Sequence, residues 1–245
     1  MESSAAPRKE IRAGDVVGEV FSIYRDNAAA LLISAAVVFV VVGLVSALLQ
    51  NTDSIVLGLI AAAVRLAGHA LFTGFVVRLV QDVRDGRRDD TVGDLFSAAA
   101  PSILALIAFG ILFAIGVTIG FVLLIVPGLI LITFWSLGAP AIVVERAGIF
   151  EAFGRSWRLV RGNAWSVFAT LLLVLLIVIV IGIVLGVIAT PIGDGATVVA
   201  AILSSILTAP IFSLAVSVLY FELSEGEASP QSSPAAPPPP AAPAA

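Results

Sequence analysis

From residue 98 to residue 144 the chain carries no Asp, Glu, Lys, Arg or His. That uninterrupted apolar run is about twice the ~20 residues one bilayer-crossing helix needs. The rest of the chain agrees with it: 60% of the residues are hydrophobic and 12% charged, and the mean hydropathy is +1.12. Soluble domains run close to one-quarter charged. A soluble fold of this size has no interior large enough to hide so much apolar surface. The sequence therefore specifies an integral membrane protein.

Six spans follow from run length and punctuation. The first covers about 28–49 and ends at the polar turn Gln50-Asn51-Thr52-Asp53-Ser54. The second, about 55–80, is interrupted by Arg65 and His69. The double-length run divides into spans at about 101–123 and 127–144, joined by a tight apolar turn marked by Pro127-Gly128. The fifth covers about 164–189 and stops at Thr190-Pro191-Ile192-Gly193-Asp194-Gly195; the sixth covers about 197–221. All six are expected to be α-helical, because the bilayer interior offers backbone groups no water. The first run begins well after Arg8, Lys9 and Arg12 and exceeds a signal-peptide core of roughly 7–15 residues, so it reads as a retained span. Residues 1–13 and the Pro/Ala-rich tail 224–245 are expected to be disordered.

The cations orient this array. Arg8, Lys9, Arg12 and Arg25 precede the first span, Arg78, Arg84, Arg87 and Arg88 follow the second, and Arg146, Arg155, Arg158 and Arg161 follow the fourth. The turns at 50–54 and 190–196 carry none. Both termini are thus expected in the cytoplasm, with the protein in the cytoplasmic (plasma) membrane.

A cytoplasmic amphipathic segment precedes each odd span. Val16, Val17, Val20, Phe21 and Tyr24 share one helical face in the first; Val92, Leu95 and Phe96 do so in the second; Ile149, Phe150, Phe153, Trp157 and Val160 do so in the third. Such helices lie in the membrane interface. Two of them also align: Gly18-x-x-Phe21-x-x-x-Arg25-x-Asn27-Ala28 matches Gly154-x-x-Trp157-x-x-x-Arg161-x-Asn163-Ala164. The expected fold is all-α: six transmembrane helices as three hairpins, each preceded by an interfacial helix, with the pattern of a repeated unit.

Several functions are disfavoured. Cysteine is absent, which removes disulfides and thiolate chemistry, and one histidine cannot build a multi-histidine metal site. A net charge of −4 does not suit nucleic acid. Asp82, Asp85, Asp89, Asp90 and Asp94 interleave with Arg84, Arg87 and Arg88, as in a solvated loop. The sequence holds no Gly-x-Ser-x-Gly elbow, no His-Glu-x-x-His and no phosphate-cradling glycine loop. No enzyme, metal or cofactor is expected.

Further stations carry a likeness. They are Pro127-Gly128, Leu137-Gly138-Ala139-Pro140, Glu145, the run Ala152 to Gly162 with Arg155-Ser156-x-x-Leu159-x-x-Gly162, and the closing Tyr220-Phe221-Glu222-Leu223. Over most of 14–223 the chain resembles the multispan membrane domains fused to some bacterial and archaeal glycerophosphodiester phosphodiesterases, which also occur alone. The resemblance implies the architecture. It implies no activity, because the family's catalytic domain is a separate soluble barrel with no counterpart here. The arginine-rich stretch usual after the last station is replaced by Glu225 and Glu227.

Arg65 is the sharpest candidate. Near the middle of its span it is about 15 Å from either surface, where an arginine costs at least ~2.5 kcal/mol. It is expected to face the bundle interior. It reads either as an anion or lipid-headgroup site or as a structural polar lock. His69 shares its face one turn on; it reads as a proton relay or as a neutral histidine hydrogen-bonded inside the bundle. Glu145 is expected to anchor the fourth span by pairing with Arg155 or Arg158. Trp157 is an interfacial anchor, and Arg155, Arg158 and Arg161 are candidates for anionic lipid phosphates. Partners are the bilayer, anionic headgroups, and a protein partner or second copy. The functional expectation is a non-enzymatic scaffold or accessory protein of envelope or lipid processes. The alternative is a small transporter or channel using Arg65 and His69.

Overall fold

The computed structural model describes residues 12–50, 54–86 and 91–228. Residues 1–11, 51–53, 87–90 and 229–245, which include most of both expected disordered tails, lie outside the described residues. The described chain is helical throughout: α1 (Ala13–Asp26), α2 (Ala28–Gln50), α3 (Ile55–Asp85), α4 (Val92–Ala99), α5 (Ile103–Leu123), α6 (Ile125–Trp135), α7 (Gly138–Glu145), α8 (Ile149–Val160), α9 (Ala164–Ala189) and α10 (Asp194–Ala228). Six stretches are long and apolar enough to cross a membrane: Ala28–Ser46, Ile55–Asp85, Val92–Leu123, Ile125–Glu145, Ala164–Ile192 and Val199–Glu227. The fold is an all-α, six-span membrane bundle. The most extensive contacts join α2 to α3, α5 to α6 and α9 to α10.

The joints of the matched motif share one geometry. Asn27, between α1 and α2, has φ −118° and ψ 20°. Asn163, between α8 and α9, has φ −126° and ψ 16°. In each case the asparagine carbonyl accepts the first hydrogen bond of the following helix, from Leu31 N–H or Val167 N–H at 3.0 Å. The aligned residues therefore build the same bend.

The middle amphipathic segment behaves differently. α4 passes into α5 through one 3-10 turn, Ala100–Ser102, with Ala100 and Ile103 in right-handed helical conformation. It packs along α3, with Phe96 stacked on Phe75 at 4.6 Å between ring centroids. Close approach is possible because Gly74 faces Ala99: a Cβ on Gly74 would sit 2.9 Å from the Ala99 methyl.

The apolar turn between the third and fourth spans is at Leu124, which is extended (φ −166°, ψ 155°) and lies in the interval between the expected spans, just before Pro127-Gly128. Pro127 sits in the first turn of α6, where its missing N–H would have had no partner in the helix. Two expected boundaries shift. The fourth span is broken at Ser136-Leu137 into α6 and α7, because Pro140 lacks an N–H and its ring clashes with the carbonyl four residues back. The last helix runs on to Ala228, so 224–228 are helical. Glu225 and Glu227 are held there by arginines, as described below.

Candidate functional site

Two regions gather the polar chemistry of this apolar chain. The first is a cluster at one end of the bundle, around the last turns of α10. Arg84, at the end of α3, donates to Glu19 of α1 at 2.7 Å and to Glu225 and Glu222 of α10 at 2.8 and 3.4 Å. Arg155 of α8 donates through Nε to Glu145 at 2.8 Å and through a terminal nitrogen to Glu227 at 2.5 Å. The buried Tyr220 hydroxyl donates to the same Glu145 oxygen at 2.6 Å. Burial opposes the Arg155 charge, but hydrogen bonds and Coulombic attraction from Glu227 and Glu145 outweigh it and raise its pKa above the ordinary arginine value. Arg78 donates to the Val143 carbonyl at 2.7 Å, satisfying one of the last carbonyls of α7.

α8 is fastened to the break in the fourth span. Ser156, fully buried, donates to the Phe134 carbonyl at 2.7 Å and accepts from Leu137 N–H at 3.1 Å. The backbone groups freed by the break thus find partners on a neighbouring helix. Phe153 packs against Phe109 and Trp135, with centroids 4.5 and 4.8 Å apart. The expected apolar face of α8 is therefore divided. Ile149, Phe153 and Val160 pack into the protein, while Phe150 and Trp157 remain 80% and 42% exposed. Arg158 and Arg161 are exposed.

The second region is a cavity of about 430 Å³ among α3, α5, α6, α7, α9 and α10. Its walls are Leu, Ile, Phe, Val, Ala and Gly side chains, with His69, Thr73, Thr133, Ser136 and Ser213 as polar stations and no acidic group. Thr133 and Ser136 donate to carbonyls of their own helix, Leu129 and Thr133, at 2.8 and 2.9 Å. Several lining side chains, including Leu66, Leu129, Leu172, Leu175 and Phe212, are exposed. The cavity is therefore partly open, and its walls are membrane-spanning helices.

Arg65 corrects its expectation. It does not face the interior; it is exposed on α3. Among the described residues no hydrogen bond or ion pair reaches its guanidinium. The buried Ser46 hydroxyl on the neighbouring α2, which has no hydrogen-bond partner among the described residues, is not engaged by it. His69 is likewise exposed and not hydrogen-bonded inside the bundle; it lines the cavity and packs on Phe39 with centroids 5.1 Å apart. The sequence reading brought out Glu145, Arg155, Arg65 and His69. It missed Arg84, Tyr220, Ser156 and the cavity. The stations Arg155-Ser156 and Tyr220-Phe221-Glu222 were the available signal for Ser156 and Tyr220.

Comparison with known proteins now places the chain. Residues 17–217 match the model of UPF0259, described as an uncharacterised protein family. The chain belongs to UPF0259. It is 36% identical over 98 residues to a UPF0259 membrane protein of Pectobacterium carotovorum subsp. carotovorum (strain PC1), a segment covering 40% of this chain and 39% of that relative. The aligned region thus spans well under half of the curated relative. No solved structure matches. For this UPF0259 chain, family and fold agree on a multispan helical membrane protein.

Proposed function

We propose that this protein is a non-enzymatic accessory or scaffold protein of the cytoplasmic membrane, working in lipid or envelope processes, with its charged end and both termini in the cytoplasm. The observation that carries the reading is the cavity: it is walled by spans, lined almost wholly by apolar groups, and partly open. Such a space suits hydrocarbon and offers no continuous polar track for an ion or hydrophilic solute. The orientation is supported by the cations gathered at the end that holds Arg84 and Arg155. The resemblance to membrane domains fused to glycerophosphodiester phosphodiesterases supplies the lipid context. Exposed Arg158 and Arg161 beside Trp157 suit anionic headgroups at that surface. A second reading, transport through the Arg65 and His69 region, is favoured by the position of His69 on the cavity wall.

The chain has no cysteine, so single reporters can be placed without background. Ser136→Cys and Ser213→Cys should resist a charged, membrane-impermeant thiol reagent from both sides of sealed vesicles and react with an apolar one. Fast reaction with the charged reagent would mean an aqueous path, and transport would replace the accessory reading.

A further inference from the structure

We propose that the apolar cavity is a binding site for one acyl chain of a glycerophospholipid, and that Arg65 holds its phosphate. The proposal rests on the lipid-linked reading above and gives it a ligand class. Four observations carry it. The cavity volume of about 430 Å³ lies in the range of small-molecule sites, ~300–1,000 Å³, and admits a chain while leaving a headgroup outside. Its lining comes from membrane-spanning helices, so lipid is the neighbour of its open side. Arg65 lies outside the lining but one turn from the cavity-lining His69 on the same helical face. Finally, among the described residues Arg65 is a cation without a protein partner, and none of those lining the cavity is acidic to compete for it.

The geometry is that of a lipid in the leaflet away from the charged end. Helical Cα–Cβ bonds tilt toward the helix N-terminus, so Arg65 leans toward Ser54, eleven residues or roughly 16 Å along α3. The guanidinium snorkels toward that surface and the bilayer thins locally beside it, which together bring a lipid phosphate within its reach. The attached chain then passes Leu66, His69 and Thr73, which line the cavity in that order toward the charged end. A phosphate matches the planar donor fork of arginine and supplies the counter-charge that the protein lacks at this depth.

The test uses full-length protein reconstituted in phosphatidylglycerol nanodiscs doped with diacylglycerol, which has the same chains and no phosphate, then released into mild detergent. Lipids that stay bound are counted by native mass spectrometry. Relative to their proportions in the disc, wild type should retain phosphatidylglycerol over diacylglycerol by about tenfold, the scale of one charge-assisted contact. Arg65→Leu should still retain lipid but lose the headgroup preference. Gly110→Leu should lose the lipid itself, because Gly110 lines the cavity and its Cβ position is open; an unchanged melting temperature checks that the fold is kept. Ser213→Leu fills the opposite wall and should do the same. An unchanged preference in Arg65→Leu, or unchanged retention in both filled variants, overturns the proposal. Neither result depends on the thiol labelling that tests the accessory reading, so the two fail separately.

Discussion

The two ends of this bundle are built differently. At the charged end, Phe75, Val76, Val77, Val80, Leu219 and Tyr220 are almost wholly buried, and ion pairs to Arg84 and Arg155 tie α1, α3, α7, α8 and α10 together. At the far end, Leu48, Ile55, Val122, Leu124, Val187 and Ile192 are each at least 68% exposed. In water such a far end would be untenable. In a bilayer it costs little, because lipid tails are as apolar as the side chains and no hydrophobic force drives the helices together. What holds a membrane bundle is close packing and polar contact; this protein has gathered its ion pairs at one end, while the α5–α6 hairpin keeps a close backbone approach at Gly120 and Gly128 near the other. The cavity lies where the packed region gives way to the open one.

That contrast can be broken deliberately. The largest effect is expected from Gly138→Leu, because a Cβ at this position would run into the Phe109 ring. Overpacking of this kind costs about 3 kcal/mol, and should appear as a large fall in the detergent melting temperature followed by tryptophan fluorescence. The matched change in the far half, Gly186→Leu, meets nothing within 4 Å and should leave melting within about 0.5 kcal/mol of wild type. Equal losses from the two would erase the distinction between the ends.

A smaller loss is expected from Ser156→Ala. It leaves Leu137 N–H and the Phe134 carbonyl without the side chain that joins them, at a cost of about 1–3 kcal/mol. The fourth span should then open locally, with faster hydrogen exchange confined to residues near the break. The smallest loss, above only the near-neutral Gly186→Leu, is expected from Arg84→Met. The arginine side chain is 16% exposed and its partner Glu225 is 62% exposed, so solvent screening limits the loss to roughly 1 kcal/mol. Its mark should be local: faster exchange in the last turns of α10 with α9 unaffected. A global loss as large as that of Gly138→Leu would make the ion cluster, and not packing, the main support of the charged end.

Particular residues show what could be read in advance. The pairing of Glu145 with Arg155 was legible because ten residues separate them across one short bend. The grip of Arg84 on Glu222 and Glu225 was not, since those partners lie 138 and 141 residues away. The helical ending at Ala228 was missed for the same reason: Glu225 and Glu227 look like a solvated tail until their arginines are found. Arg65 was recognised as exceptional from its depth alone, but its direction was misjudged: it is exposed on α3, and which side of an apolar helix meets its neighbours is set by packing that the span itself does not spell. The cavity left no trace, since an apolar residue lining a void and one packed against a neighbour are spelled alike.

Apolar run length and cation placement, both properties of the chain taken one segment at a time, were enough to determine a membrane protein of six helical spans, because backbone hydrogen bonding in hydrocarbon permits little else. Which helices meet, which carboxylates each arginine holds, where the bundle opens and what lies beside Arg65 were decided only in three dimensions. Helix association among apolar segments turns on steric fit and on polar contacts between residues far apart in the chain, and neither is written in local sequence.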